Sequence, residues 1–366
     1  MRSFFILECF RLKFSTCSQE IYILFRNYRK TMFTFAPRFA TMDWSKIFKI
    51  KSDLDFERIS LEVYKHQYLN NKVYQEFCDY LNKTPDTVQK LLQIPFLPIE
   101  FFKTKKVIST KVKAQILFTS SGTTGSVTST HYVTDVALYE KSYLKGFDYF
   151  YGNIQDYCVL ALLPSYLERE GSSLIYMADD LIKKSQHPES GFYLNEIEVL
   201  VEKLNTLEHQ GTKIILIGVS FALLDIAEKY TLNLKNTIVM ETGGMKGRRK
   251  EMIREELHTI LKNGFGVQKI HSEYGMTELL SQAYSKGNGI FNTPPWMQIL
   301  VRDTEDALSY QTNGKTGGIN VIDLANINSC SFIATQDLGK KFDDASFEIL
   351  GRFDHSDIRG CNLMVF

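Results

Sequence analysis

The run Thr119-Ser120-Ser121-Gly122-Thr123-Thr124-Gly125-Ser126 concentrates hydroxyl side chains and two glycines in one turn, directly after the apolar Ile116-Leu117-Phe118. A strand that ends in such a loop can hold phosphate. Glycines let the backbone approach an anion, successive N–H groups form a concave nest, and hydroxyls add donors. No lysine follows the second glycine, so the run is not a Walker A loop, which needs G-x-x-x-x-G-K-S/T. Taken alone, it reads equally as a polar surface turn, because Ser, Thr and Gly are ordinary turn material.

Further candidates lie downstream. Thr242-Gly243-Gly244-Met245-Lys246 follows the apolar Thr237–Met240. Its glycines permit close approach of a ligand, and Lys246 either pairs with an anion or is a solvated lysine beside Arg248, Arg249 and Lys250. Ser272-Glu273-Tyr274-Gly275-Met276-Thr277-Glu278 groups a hydroxyl and carboxylates around a glycine; the competing reading is a helix start capped by Thr277. Asp337, after Ile333-Ala334-Thr335-Gln336, is either a ligand-binding carboxylate or a turn aspartate before Leu338-Gly339. Gly351-Arg352-Phe353-Asp354-His355-Ser356-Asp357-Ile358-Arg359-Gly360 is dense in charge. His271, a lone histidine on a strand, reads as a satisfied core residue. Asn313-Gly314-Lys315-Thr316 ends like a Walker A loop, but Ser309 stands where a glycine is required, so it reads as a turn between strands. Gly264-Phe265-Gly266 lacks the third glycine of a dinucleotide fingerprint.

In this order the motifs resemble the phosphate loop, the Y-G-x-T-E motif, the ribose-binding Asp and the G-R-x-D-x-x-I-x-x-R-G hinge of the adenylate-forming enzymes: acyl-CoA synthetases, luciferases and peptide-synthetase adenylation domains. The resemblance covers roughly residues 95 to 361. It implies an α/β fold with largely parallel sheets and crossover helices, and it implies ATP and Mg²⁺. In that chemistry a carboxylate attacks the α-phosphate of ATP and pyrophosphate leaves, so catalysis is mostly positioning and electrostatic stabilisation. By resemblance, Thr119, Ser120, Ser121, Gly122, Thr123, Thr124 and Gly125 cradle the β/γ-phosphates. Tyr274 stacks on adenine, Thr277 donates to the α-phosphate, and Glu278 is the metal ligand. Asp337 accepts from both ribose hydroxyls, with Arg352 near the ribose or α-phosphate. Gly243 and Gly244 flank the adenine and carboxylate pocket, with Lys246 beside them. Leu163-Pro164-Ser165-Tyr166 stands where the family lines its acyl pocket. The family's Pro-Lys after the phosphate loop is Val127-Thr128 here, which removes one positive charge from the nucleotide side.

Members of that superfamily continue well past the hinge into a small mobile domain that carries a lysine. Only twelve residues follow Asp354 here, so the expectation is a chain lacking most of that domain. Its last residues, Asp357-Ile358-Arg359-Gly360-Cys361-Asn362-Leu363, resemble the end of the acyl-protein synthetases of the bacterial bioluminescence fatty-acid reductase complex, whose tail cysteine accepts the acyl group. That likeness runs from roughly Met42 to the end and includes Thr242–Lys246. It implies a fatty or other lipophilic acid, transfer to Cys361, and an acyl reductase or acyltransferase partner. A thiolate attacking an acyl adenylate makes a thioester, and Arg359 and His355 would favour the thiolate. If Cys361 is only a surface cysteine, CoA or a carrier-protein thiol is the acceptor, as in a phenylacetate-type acid–CoA ligase. A scaffold that binds nucleotide without turnover is the alternative from another class.

The elements that must position these residues follow from periodicity. Residues 53–82 repeat apolar positions at three- and four-residue spacing, as helices do. Thr84-Pro85-Asp86 opens a short helix through Leu92, and Pro95 and Pro98 stiffen an extended connector. Gln115–Thr119, Tyr157–Leu163, Lys213–Gly218 and Thr237–Met240 read as strands covered on both faces, and Val267–His271 as a strand leading into Tyr274. Helices are expected at Val133–Lys145, Ser172–Lys183, Asn195–Glu208, Phe221–Tyr230 and Gly247–Lys262. Alternation of this kind predicts a largely parallel sheet. Short strands follow at Gln298–Val301, Gly318–Leu324, Ser331–Ala334 and Ser346–Leu350. The expected organisation is a leader or mis-assigned start at 1–41, a helical region at 42–110, an α/β core at 111–350, and a truncated hinge and tail at 351–366.

A net charge of +1 over 366 residues gives no case for nucleic acid. Residues 1–41 differ from the rest, with seven Arg/Lys, two Glu, ten aromatics and no glycine. Their apolar stretches are too short to span a membrane. Met42 makes a natural start, so 1–41 read as a leader without function. The six cysteines form neither a C-x-x-C pair nor a zinc pattern, which fits a reducing cytoplasm. Cys78 and Cys158 sit in apolar runs and read as small core residues.

Overall fold

The protein is described by a computed structural model covering residues 44–120, 127–164, 171–243, 249 and 252–353. The described residues from Lys46 onward belong to one compact unit. Within the larger unit, strands β4 (Cys158–Leu162), β5 (Gly191–Phe192), β6 (Ile214–Val219), β7 (Thr237–Thr242) and β8 (His271–Tyr274) pair in parallel in the order β5-β4-β6-β7-β8. Every residue of β4 and β6 is buried. This explains their unbroken apolar sequences, because helices cover both faces of a parallel sheet.

At β8 the sheet changes character. Strands β9 (Ala283–Ser285), β10 (Ile290–Asn292), β11 (Met297–Arg302), β12 (Gly317–Asp323), β13 (Phe332–Lys341) and β14 (Phe347–Arg352) continue it in the order β9-β10-β14-β13-β12-β11, and all of these pairs are antiparallel. A short strand β1 (Leu97–Pro98) adds to β13 in parallel. The expected α/β class is present, with the expected parallel strands in β4 to β8 and antiparallel strands beyond them, so the sheet as a whole is mixed.

Several local expectations need correction. Gln115–Thr119 does not join the parallel sheet. Its strand β2 (Ile116–Thr119) pairs antiparallel with β3 (Thr130–Val133) as a separate ribbon, and β2 is mostly uncovered. Four apolar residues are compatible with a ribbon as well as with a core strand, and periodicity alone does not separate them. Val133 lies in β3; the helix begins at Val136, because Asp135 caps it by accepting from Leu138 N at 3.2 Å. Residues 84–92 form turns and a 3-10 segment rather than a helix. There the Thr87 hydroxyl bonds the carbonyls of Asn82 and Thr84, and so competes with the helical ladder. The helix after the Gly-rich turn runs over Arg254–Phe265. Strand β8 starts at His271 instead of Val267, which makes Tyr274 its last residue.

The N-terminal helices pack against the turn between β12 and β13 and the start of β13. The helix Asp53–Asn70, capped by Ser52, buries Phe56, Ile59, Val63 and Tyr64. It also buries Gln67, whose amide donates to the Asn326 and Ile327 carbonyls at 3.0 Å and accepts from Ser331 N. A buried side-chain amide is tolerated when its partners are in place. Here those partners form the turn between β12 and β13.

Candidate active site

In open α/β sheets, ligand crevices lie beyond the carboxyl ends of the strands, at a switch in topology. At β8 the sheet passes from parallel pairing with β7 to antiparallel pairing with β9. The turns leaving β7 and β8 carry Gly243 and Tyr274 through Glu278 respectively.

Tyr274 and Asp337, 63 residues apart in sequence, meet directly: the Tyr274 hydroxyl donates to Asp337 Oδ2 at 2.7 Å. The Tyr274 ring rests edge-on against Phe291 and Phe347, at centroid distances of 6.0 and 5.8 Å. Asp337 lies inside β13, opposite Arg352 of β14 in register. It is a strand residue, so the turn alternative falls. The Arg352 Nε stands 3.5 Å from Asp337 Oδ1, but that arginine is 70% exposed and the pair adds little stability. Burial pushes the Asp337 carboxyl above the usual range, against the Tyr274 hydroxyl that donates to it. Arg302 braces the same corner. Its guanidinium donates to the carbonyls of Ile319 and Thr335 and to Asn320 Oδ1, and it stacks 5.4 Å from the Phe353 ring centre.

Residues 275–282 form an irregular loop with no helix, which removes the capping alternative for Thr277. Backbone groups of this loop are held by side chains from three directions. His131 on β3 bonds the Thr277 carbonyl through Nδ1 at 2.8 Å, which requires the Nδ1–H tautomer. Asn326 Nδ2 donates to the Glu278 carbonyl at 2.6 Å. Asp323 accepts from the N–H groups of Leu280 and Ser281 at 2.7 and 3.0 Å, and from the Ser281 hydroxyl. Ser281 then bonds the Trp296 indole and Ser142. Burial pushes His131 down to about 4, so it is neutral at ordinary pH. Sequence reasoning missed His131, Asn326 and Asp323. Their partners lie up to 146 residues away, and no local spacing announces them.

Glu278 is 5% exposed, and burial raises its pKa although Ser129 hydrogen-bonds it. Among the described residues no basic group lies at ion-pair distance from it, and no cluster of three metal-ligating side chains occurs. A buried carboxylate with no ion-pair partner among the described residues suits Mg²⁺, which takes one or two protein carboxylates and completes its shell with phosphate oxygens and water. The residues present therefore fit the ion.

On the phosphate side, Thr119 closes β2 and Ser120 follows it. Their backbone N–H groups are occupied, by Gly171 O at 2.7 Å and Ser129 O at 3.1 Å. The Ser120 hydroxyl accepts from Ser129 N at 2.9 Å. The nest argument therefore fails for these two N–H groups, while Thr119 itself is exposed. Ser121, Gly122, Thr123, Thr124 and Gly125 lie outside the described residues, as do Gly244, Lys246, Tyr166 and Cys361.

Gly243 has φ +65°, a conformation that suits glycine, and its carbonyl accepts from Ser220 at 3.0 Å. Beneath it, buried Glu241 faces Arg254 and His258, each at 3.5 Å. His271 bonds Tyr151 at 3.2 Å, as expected of a satisfied core histidine. Cys78 and Cys158 are buried, as expected.

A sheet of this topology matches the fold of the adenylate-forming enzymes. Solved structures share the fold. ATP-bound MatB from Rhodopseudomonas palustris matches with TM-score 0.51 and 17% identity over 67% of this chain and 49% of that one. An open conformation of 2-hydroxyisobutyryl-CoA ligase, in complex with 2-HIB-AMP and CoA, matches with TM-score 0.60 and 12% identity over 83% and 70% of the two chains. The chain thus spans about half the length of the MatB structure. The chain belongs to the family described as acyl-protein synthetase, LuxE, whose pattern it matches over residues 40–366. No curated protein matches it in sequence. Among the described residues, no helix is long and apolar enough to cross a membrane.

Proposed function

We propose that the protein is an AMP-forming acid–thiol ligase of the cytoplasm that activates a fatty or other lipophilic carboxylic acid. The observation that carries this reading is the meeting of Tyr274, Asp337 and Arg352 beside a braced loop bearing Thr277 and Glu278, in a chain of the acyl-protein synthetase family. An oxygen of the carboxylate attacks the α-phosphorus of ATP, the bond to the β-phosphate oxygen breaks, and pyrophosphate leaves. Asp337 orients the ribose, the Tyr274 ring covers the adenine, and Thr277 donates to the α-phosphate. Thr119 and the loop through Gly125 hold the departing phosphates, while Gly243, Gly244 and Lys246 border the acid. Mg²⁺, when held by Glu278 and phosphate oxygens, offsets the phosphate charge.

In the second step the Cys361 thiolate attacks the acyl carbon and AMP leaves, giving an acyl thioester. An acyl reductase or transferase would then take the group from that thioester. Residues 42–110 are proposed as a bracing region, 111–350 as the adenylating core and 351–366 as the arm that carries the thiol.

Intact-protein mass after incubation with ATP, Mg²⁺ and a panel of fatty acids tests this. The expected result is a hydroxylamine-sensitive acyl adduct that is lost in Cys361→Ser. Robust acyl-CoA synthesis by Cys361→Ser would instead make CoA the acceptor. Absence of ATP–pyrophosphate exchange with every acid would overturn the ligase reading.

A further inference from the structure

Arg254 has no part in the chemistry above, yet it touches the supports of both substrate sides. It is the first residue of the helix Arg254–Phe265. A cation there opposes the helix dipole, so helix formation does not account for it. Its partners on the sheet do. Its Nε faces Glu241 Oε1 at 3.5 Å, and its Nη1 donates to the Ile349 carbonyl at 2.8 Å. The guanidinium also lies over the Phe291 ring, 5.2 Å from the centroid. The stem passes the turn between β9 and β10, where its Cδ is 2.8 Å from the place that a Cβ on Gly289 would take. Gly289 has φ +68° as well, so both space and backbone call for glycine there. One side chain thus contacts β7, β10 and β14.

Each end leads into the candidate site. Glu241 stands two residues before Gly243. The Ser220 hydroxyl reaches both, 3.3 Å from Glu241 Oε2 and 3.0 Å from the Gly243 carbonyl. Glu241 and Ser220 are both buried, and His258 Nε2 is the other basic partner of Glu241 among the described residues, at 3.5 Å. A buried carboxylate is costly to leave unpaired, so Glu241 depends on these partners. At the other end, Ile349 stands three residues before Arg352 in β14. Phe291 stacks on Phe347, and both rings back Tyr274. A chain of contacts therefore runs from the Gly243 carbonyl through Ser220, Glu241 and Arg254 to the strand that bears Arg352.

We infer that Arg254 is a positioning residue that fixes the Gly243 turn, on the proposed acid side, relative to the Tyr274–Arg352 corner on the proposed nucleoside side. This rests on the ligase reading. Attack of a carboxylate oxygen on the α-phosphorus needs both substrates at a set separation, and a misplacement of about 1 Å costs about 100-fold in rate. A guanidinium suits the task, because its planar fork presents several donors in fixed directions, whereas an ammonium is a point charge.

ATP–pyrophosphate exchange, with kcat expressed per folded enzyme and KM measured for ATP and for the acid, tests the inference without involving the thiol. Arg254→Met strands Glu241 and can unfold the chain, so the decisive variant is Arg254→Lys. It keeps a cation for Glu241 but offers one nitrogen in place of the two that contact Glu241 and Ile349. Its kcat should fall roughly 10–100-fold, with both KM values little changed, because each substrate keeps its own contacts and only their relative placement is lost. Arg254→Lys combined with Glu241→Gln should be no slower than the slower single variant, since contacts in one chain are not additive. Wild-type kcat in Arg254→Lys overturns the inference, as does a loss confined to KM, or losses that multiply in the double variant.

Amide hydrogen–deuterium exchange supplies a readout that needs no activity. Arg254→Lys should lose protection in the segments 237–243 and 347–352 together, while the helix Ile197–His209 stays as in wild type. If no acid supports pyrophosphate exchange by wild type, the ligase reading fails, and the amide measurement alone decides whether Arg254 ties the two segments. Protection lost in one segment only, or in neither, overturns the tie.

Discussion

The two sides of the candidate nucleotide site are built differently. Tyr274, Asp337 and Arg352 stand on three strands of one twelve-stranded sheet, where the pairing of Asp337 with Arg352 is set by register. Thr119 and Ser120 stand at the end of a two-stranded ribbon. A sheet position is held by every neighbouring strand at once. A two-stranded ribbon is marginal by itself and needs outside anchors. The anchors here are Gly171 O on Thr119 N, Ser129 on Ser120, and His131 on the Thr277 carbonyl. The sheet side, proposed to hold the ribose, is therefore fixed by register, whereas the ribbon side, proposed to hold the phosphates, rests on a few polar contacts. Adenylation needs the nucleoside fixed while the phosphate end changes charge and loses pyrophosphate, and the division of labour suits that need.

The sharpest way to break the comparison is at Glu278, where the sides meet: its carboxylate is bonded by Ser129 of the ribbon side and its carbonyl by Asn326 of the sheet side. Glu278→Ala should lower ATP–pyrophosphate exchange by roughly 10²–10³-fold, the usual cost of losing one electrostatic stabiliser of a charged transition state. Unchanged exchange at ordinary Mg²⁺ concentrations would remove Glu278 from the metal-ligand role.

A smaller effect is expected on the sheet side. Asp337→Ala removes a charged acceptor, a loss worth about 1.5–3 kcal/mol in all. The KM for ATP should rise about 10–100-fold, with less change in kcat. Steady-state exchange at varied ATP measures the split. A fall in kcat at constant KM would mean that this corner acts on the transition state and is no passive nucleoside clamp.

How far the sequence reveals this site depends on the same contrast. The strands and the order of motifs were legible because each is local: a run of apolar residues, a glycine turn, a Tyr-Gly-x-Thr-Glu string. Asp337 was found as a carboxylate, but its strand was drawn too short, since β13 runs past the core into half-covered positions where apolar patterning fades. The ribbon was misread as a core strand because four apolar residues do not say what covers them. His131, Asn326 and Asp323 were invisible, since each acts on backbone carbonyls or N–H groups that any sequence would supply. Glu273 was quoted within a motif, yet its bond from Thr242, 31 residues away, has no local signature.

The most delicate test concerns the ribbon's anchor. His131 is 1% exposed and neutral, with its pKa lowered to about 4 by burial. A histidine depressed below its unfolded value of 6.5 contributes stability that is present above pH 6.5 and lost as pH falls toward 4. At pH 5 the loss is about 2 kcal/mol, from 1.36 kcal/mol per pH unit. Other groups titrate in this window as well, so the comparison is made against His131→Asn, whose amide nitrogen can stand where Nδ1 does but cannot be protonated there. Urea unfolding at pH 7 and pH 5 should show wild type losing about 2 kcal/mol more than the variant. Exchange activity at pH 7 should survive in His131→Asn better than in His131→Leu, because only the amide can still donate to the Thr277 carbonyl. Equal acid sensitivity of wild type and His131→Asn would mean that the histidine is not sealed between ribbon and loop, and the distinction between a register-held side and a contact-held side would lose its central anchor.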